Sequence, residues 1–91
     1  MDQVTVAVLA DRIEQALSVS DVARCREQIS AFDRVLSLRA LHICRRRNLQ
    51  RLNRARRDAV ATGIPVATTS FATRESDLAT LRLELDNPRP R

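Results

Sequence analysis

The sequence predicts an all-α fold: a helical hairpin followed by a short C-terminal helix, with two copies associating as a dimeric four-helix bundle. The single glycine and the three prolines all lie after residue 62, so nothing earlier breaks a helix outright. Apolar residues recur at steps of three and four, whereas the alternation typical of strands is almost absent. A chain of 91 residues is also short enough to gain stability by self-association.

The first predicted helix runs from about residue 4 to 18. Its apolar positions are Val6, Leu9, Ile13, Ala16 and Leu17. Residues 18–21 give the only turn signal before residue 62, and Ser20 or Asp21 can cap the helix that follows.

The second predicted helix extends from about residue 22 to 62, and its apolar residues fall into two stripes. One stripe holds Val22, Cys25, Ile29, Phe32, Leu36 and Ile43. The nearly opposite stripe holds Leu38, Leu41, Leu49, Leu52, Ala59 and Val60. Since one short helix cannot cover both, we expect the first stripe to pack on helix 1 and the second to pack on another copy of the chain. The alternative is a break near Ser37, although no Gly or Pro there would cause one.

The C-terminal part is predicted to consist of a connector, a short helix and a tail. Residues 68–70 are polar, Thr73 or Ser76 can cap a short helix, and one side of that helix is apolar. That side consists of Leu78, Leu81 and Leu85. Residues 87–91 are expected to form a flexible tail. The predicted division is a helical hairpin with the dimerisation core over residues 1–67, and the connector, helix and tail over residues 68–91.

The strongest functional signal is the basic segment from Leu41 to Arg57. It carries Arg45, Arg46, Arg47, Arg51, Arg54, Arg56 and Arg57. The formal charge of the chain is +5, and all 16 basic residues are arginine. Crowded like charges on a helix repel one another, so a polyanion that neutralises them is favoured, and the guanidinium fork matches phosphate and ribose oxygens. A GC-rich genome or an overlapping reading frame would equally replace Lys by Arg.

Helical spacing places Arg47, Arg51 and Arg54 together, with Cys44 beside them, on the side away from Leu49 and Leu52. Phe32 and Phe71 are the only aromatic residues, so stacking on single-stranded bases is disfavoured and a duplex bound through its backbone is favoured. The alternative is a solvated arginine face with no ligand.

Two cysteines, Cys25 and Cys44, come without a signal-peptide pattern, which indicates a reducing, intracellular setting and structural thiols. Together with His42 they match no zinc spacing. No apolar run is long enough to span a membrane. We expect no enzymatic activity, cofactor or metal, because no catalytic grouping or glycine-rich phosphate loop is present.

Three short motifs resemble the nodavirus RNA-silencing suppressors, the viral "B-two" family. They are Leu9-Ala10-Asp11-Arg12-Ile13-Glu14, similar to the family's Leu-Pro-Asp-Arg-Ile-Gln; Leu38 with Leu41-His42-x-Cys44, similar to its Leu-x-x-Leu-His-x-Cys; and Pro65-Val66-Ala67 after the long helix. The Leu-His-x-Cys register places Arg47, Arg54 and Cys44 at positions that contact RNA in the family. Pro65 is slightly displaced, so no contact is carried over to the segment after the long helix.

The resemblance implies an all-helical homodimer that binds double-stranded RNA regardless of sequence, in the host cytoplasm. It implies suppression of RNA silencing by shielding long duplexes from Dicer and short duplexes from loading into the silencing complex. Host silencing proteins such as Dicer are a candidate further partner. The expected RNA-binding residues are Arg47, Arg54, Cys44, Arg51 and Arg46, and the expected dimer residues are Leu38, Leu41, Leu49 and Leu52.

Two other classes compete with this interpretation. A helical adaptor could use the arginine face to bind an acidic protein. A small DNA-binding regulator should show a short recognition helix after a tight glycine-containing turn, and no glycine precedes Gly63.

Overall fold

The computed structural model describes residues 3–86, and every regular element in that range is an α-helix. The helices are α1 (Gln3–Ser18), α2 (Val22–Ser30), α3 (Arg34–Thr62) and α4 (Thr69–Asp86). The all-α class is thereby confirmed for this range, and the dimeric bundle stays a prediction. The predicted tail at residues 87–91 lies outside the described residues.

The first helix and the turn after it match the sequence prediction. The carbonyl of Ala16 accepts the N–H groups of Val19, at 3.2 Å, and Asp21, at 2.9 Å. Ser20 takes the left-handed conformation, with φ at 57°. The carboxylate of Asp21 accepts the backbone N–H of Arg24 at 3.0 Å and so caps α2. Asp21, and not Ser20, is therefore the cap.

The prediction of one helix from residue 22 to 62 is wrong, because the chain reverses at residues 31–33. Asp33 caps α3 by accepting the backbone N–H of Leu36 at 2.9 Å. The carbonyl of Ile29, at the end of α2, accepts Phe32 N at 3.2 Å and the buried hydroxyl of Ser37 at 3.0 Å. An aspartate cap thus competes successfully with the helical backbone, and no Gly or Pro is needed for the break. The break precedes Ser37, whose side chain closes it.

Contacts between helices fix their directions. Val6 lies by Leu38 in a shared surface groove, and Cys44 meets Ala10 further along both helices, so α1 and α3 run parallel. The carbonyl of Phe71, near the start of α4, lies by Asn48, whereas the end of α4 reaches the start of α3, so α4 is antiparallel to α3. The helix α2 packs on α1 and forms an ion pair with α4 through Arg26 and Glu84.

The core is formed by the inner faces of all four helices. Its largest fully buried side chains are Leu9, Ile13, Leu81, Cys25, Cys44 and Ser37. Both thiols donate to carbonyls of α1, Cys25 to Ile13 at 3.6 Å and Cys44 to Ala10 at 3.3 Å. Burial raises the pKa of Cys25 to about 11 and that of Cys44 to about 12. The structural assignment of both cysteines is consistent with this packing.

The C-terminal helix is longer than predicted, and this changes how α3 is covered. It begins at Thr69, so Thr73 and Ser76 lie inside it and cap nothing. Leu78 and Leu81 are buried, as the apolar spacing indicates. The end of α3 matches the prediction: Gly63 has a left-handed φ of 73° and donates its N–H to Ala59 O at 2.8 Å.

Because α4 packs on α3, the leucines predicted for the dimer interface divide into three groups. Leu41 is only 3% exposed and belongs to the core of the single chain, so its assignment to an interface with a second copy is corrected. Leu38 and Leu52 are half-buried. Leu49 remains 55% exposed.

The raised thiol pKa values predict loss of stability in alkali. The chain has no Lys and no Tyr, so between about pH 9 and 11 the side chains that titrate are the two cysteines. Each pKa is higher in the folded than in the unfolded state, so the stability is fully present below the unfolded pKa, near 9, and is lost as pH rises toward the folded values of about 11 and 12. Urea unfolding at pH 8 and pH 10.5 should show a loss of about 1–2 kcal/mol per thiol.

The matched control is the variant with Cys25→Ala and Cys44→Ala. It should be less stable at pH 8 but lose much less on going to pH 10.5. An equal loss in the wild type and the variant would contradict the assignment to the thiols.

Candidate nucleic-acid interface

Most of the helix α3 is strongly cationic, because its arginines have no acidic residues among them. Residues 34–57 contain nine arginines and no Asp or Glu. A helix distributes these side chains around its axis, so their environments differ. Which of them face solvent is decided by the helices packed on either side of α3.

Four of the nine arginines form ion pairs with neighbouring helices. Arg47 Nη1 lies 2.7 Å from Asp11 Oδ1 and 3.1 Å from Glu14 Oε2, and Arg51 Nη1 lies 3.0 Å from Glu14 Oε1. Arg45 binds Glu75 of α4 at 2.7 Å. The fourth pair joins Arg34 to Asp86 at 3.2 Å. These pairs attach both flanks of α3 to the bundle.

Arg47 makes two ion pairs to α1, whereas Arg51 makes one. Hydrogen bonding to Asp11, followed by that to Glu14, raises the pKa of Arg47 above its already high value. The Arg47 side chain is 33% exposed, so part of its guanidinium still meets solvent. Arg47 and Arg51 therefore lie on the α1 side of α3, where Asp11 and Glu14 compensate their charges.

The other five arginines of this segment are exposed, and no carboxylate within residues 3–86 pairs with them. They are Arg39, Arg46, Arg54, Arg56 and Arg57. At about 100° per residue, Arg39, Arg46 and Arg57 lie within about 20° of one line, with Arg54 about 60° to its side. We call Arg39, Arg46, Arg54 and Arg57 the outer arginine face. Arg56 points elsewhere, into a groove with Leu49, Leu52 and Phe71.

The outer arginine face lies on the side of α3 opposite the core. Asn48 and Cys44, which are buried, lie about 140–180° around the helix from Arg46 and Arg57. From Arg39 to Arg57 the helix rises about 27 Å. The residues after Arg51 also extend beyond the end of α1, since Ser18 lies beside Arg51 in a shared cleft. The face is therefore a straight cationic surface with open solvent on one side.

Among the predicted RNA-binding residues, the structure separates three environments. Arg46 and Arg54 lie on the outer arginine face. Arg47 and Arg51 are turned toward α1. Cys44 is buried under α1, so its assignment as an RNA contact is corrected: its thiol is 1% exposed and donates inward to Ala10.

Sequence reasoning missed Arg39 and Arg57 as members of this face. Their separation of 18 residues is five helical turns, so the signal was present in the spacing. This spacing was overlooked because the prediction was based on the densest cluster, Arg45 to Arg47, and so favoured the side of the helix that faces α1.

Within the described range, no group of three or more His, Cys, Asp and Glu side chains could hold a metal ion. Among the same residues, no helix combines the length and apolarity needed to cross a bilayer.

Comparison of the chain with protein-family models, with curated proteins and with solved structures found no significant match. The resemblance to the nodavirus suppressors therefore depends on the sequence motifs alone.

The adjacent arginines Arg46 and Arg47 give a matched test of this geometry. Arg47→Ala should lower the free energy of unfolding by about 1 kcal/mol, because it leaves Asp11 and Glu14 with less compensation and removes two ion pairs between α1 and α3. Arg46→Ala removes the same charge from a side chain that has no partner among residues 3–86, and it should leave stability nearly unchanged. Urea denaturation followed by circular dichroism measures both, and equal losses would count against the division of the arginines.

Proposed function

We propose that this protein binds double-stranded RNA without regard to base sequence, through the outer arginine face of α3. The observation that carries the proposal is the alignment of four exposed arginines, unpaired within the described residues, along about 27 Å of one helix. Their charge is uncompensated by the fold, so phosphates gain attraction there without first breaking an ion pair.

The composition of the face favours a duplex over a single strand. Phe32 and Phe71 are both half-buried, and Phe32 packs against the core, so neither forms an exposed platform for stacked bases. Arginine forks suit phosphate and 2′-hydroxyl oxygens, and A-form RNA presents both across its wide minor groove while its major groove hides the base edges. A helix that lies along one side of the duplex can make these backbone contacts without contacting the base edges, so its binding does not depend on base sequence.

The biological role that we propose is suppression of host RNA silencing by occlusion. A coated long duplex would be shielded from Dicer, and a coated short duplex from loading into the silencing complex. This role is supported by the resemblance to the nodavirus suppressors, and it requires the protein to work in the host cytoplasm. Direct contact with host silencing proteins is not needed for occlusion.

We further propose that two copies associate through an apolar strip that α4 leaves open. On α3 the strip consists of Val35, Leu38 and Leu49, which share a side of the helix next to the outer arginine face. Leu83 of α4 is likewise exposed. These side chains lie on one side of the bundle, and burying them against a second copy would place two outer arginine faces in one assembly.

Loss of a face arginine should weaken duplex binding in proportion to the phosphates it contacts. Four contacts per chain correspond to a slope of log affinity against log salt of about −4, and Arg54→Ala should make it shallower by about one for each copy engaged. Gel shifts at several salt concentrations measure this slope, with duplex RNA, duplex DNA and single-stranded RNA compared at fixed salt. Duplex RNA should bind most tightly.

Arg45→Ala is the matched control, because Arg45 belongs to the same helix but is paired with Glu75 on the α4 side. It should retain the wild-type slope, and circular dichroism should show equal helicity for both variants. Equal binding of single strands and duplexes, or greater loss in Arg45→Ala than in Arg54→Ala, would overturn the proposal.

The apolar strip predicts a change of mass in solution. The wild type should sediment as a dimer at micromolar concentration, and Leu38→Asp combined with Leu49→Asp should give a monomer with its helices intact, because neither side chain is fully buried. Val19→Asp, at an exposed apolar position outside the strip, should remain dimeric. A monomeric wild type would refute this assembly.

A further inference from the structure

A second polar site lies on the opposite side of α3 from the outer arginine face. A cleft of about 510 Å³ opens between the end of α1, the middle of α3 and α4. Its walls include Leu17 and Ser18 of α1, Asn48 and Arg51 of α3, and Arg74 and Leu78 of α4. This volume lies within the range of small-molecule sites.

Asn48 lines the cleft and carries a buried acceptor that has no partner in the described part of the chain. The residue is 5% exposed, and its Nδ2 donates to the carbonyl of Phe71 at 3.1 Å. Its Oδ1 is buried and has no hydrogen-bond partner among residues 3–86. Turning the Asn48 side-chain amide by 180° would place its Oδ1 against the carbonyl oxygen of Phe71. The contact with Phe71 therefore fixes the orientation of the amide. An acceptor left in this state costs about 1–3 kcal/mol, which a donor placed in the cleft would recover.

Arginines supply donors in the same cleft. Arg74 is half-buried and has no ion pair or hydrogen bond within the described part of the chain. Arg51 binds Glu14 through Nη1, which leaves its other guanidinium N–H groups available. Asp11 and Glu14 also line the cleft, and both carboxylates are already engaged by Arg47. The site therefore offers cationic donors and one buried acceptor, with the side chains of Leu17 and Leu78 as apolar wall.

We propose that this cleft binds a nucleotide of the nucleoside monophosphate class, with its phosphate on Arg74 and Arg51 and a base N–H donating to Asn48 Oδ1. Arginine forks match phosphate oxygens, and an exocyclic or ring N–H supplies the donor that Asn48 lacks. Inorganic phosphate would fill only part of the cleft. The site does not depend on the proposed duplex binding, because Asn48 lies about 180° around α3 from Arg57.

Isothermal titration with the four nucleoside monophosphates, uridine and inorganic phosphate tests the proposal on the full chain. At least one monophosphate should bind saturably, about tenfold more tightly than phosphate or uridine. Arg74→Gln and Asn48→Leu should each weaken that binding by about tenfold, whereas Arg54→Gln, outside the cleft, should bind normally. Arg74 is less buried than Asn48, so Arg74→Gln remains a test if Asn48→Leu fails to fold.

The same chemistry is presented by a free nucleotide and by the unpaired end of an RNA strand. Competition between the preferred monophosphate and duplexes with blunt ends or with one-nucleotide overhangs separates the two: displacement by the overhang alone identifies a strand end, and no displacement by either identifies a free nucleotide. Absence of saturable binding, equal binding of inorganic phosphate, or loss of binding in Arg54→Gln would overturn the proposal. Duplex binding that depends on Arg54 and not on Arg74 would survive that outcome, so the two proposals fail separately.

Discussion

The fold has to compensate a helix that carries nine arginines and no carboxylate between residues 34 and 57. Each neighbouring helix contributes acids at the positions where it touches α3: Asp11 and Glu14 from α1, and Glu75 and Asp86 from α4. Individually these half-exposed pairs contribute little free energy. Their main effect is to determine orientation, because only arginines that face a packed helix are neutralised. Apart from Arg56, the arginines of α3 that are unpaired within the described residues lie on the side that no helix covers.

This division gives α3 three sides with different chemistry. One side is apolar and packs in the core around Cys44 and Leu41. The flanks are occupied by ion pairs to α1 and α4. The third side keeps its charge in solvent. An exposed arginine contributes little to folding stability. The residue types on this third side are therefore free to serve the binding of a polyanion.

Local signals in the sequence were sufficient for several elements. The apolar spacing gave α1 to within a residue, Gly63 marked the end of α3, and the leucines of α4 predicted its buried side. Each of these depends on neighbours in sequence. The break at residues 31–33 was missed because an aspartate such as Asp33 caps a helix only if the chain reverses there, and reversal depends on packing of α2 against α1.

The sequence predicted that the candidate site is cationic, but it identified only some of the residues that form it. Seven arginines in 17 residues indicated a cationic surface. The sequence could not show that Glu14 would meet Arg47 and Arg51, because their separation along the chain exceeds 30 residues. Cys44 was misplaced for the same reason: the helical wheel puts it near Arg47, and only the position of α1 shows that this flank is buried. Asn48 gave no signal at all, since its unsatisfied oxygen is a property of the packed structure.

The two buried thiols provide internal reporters of local unfolding. Cys25 lies on α2 and Cys44 on α3, and the raised pKa of each keeps it as a protonated, poorly nucleophilic thiol in the folded chain. Alkylation therefore requires an opening that exposes the sulfur. The short helix α2 spans nine residues and is held at its end by Ser37, whereas α3 is covered on two sides. Faster labelling of Cys25 than of Cys44 would indicate that α2 detaches as a separate cooperative unit while α3 stays in place.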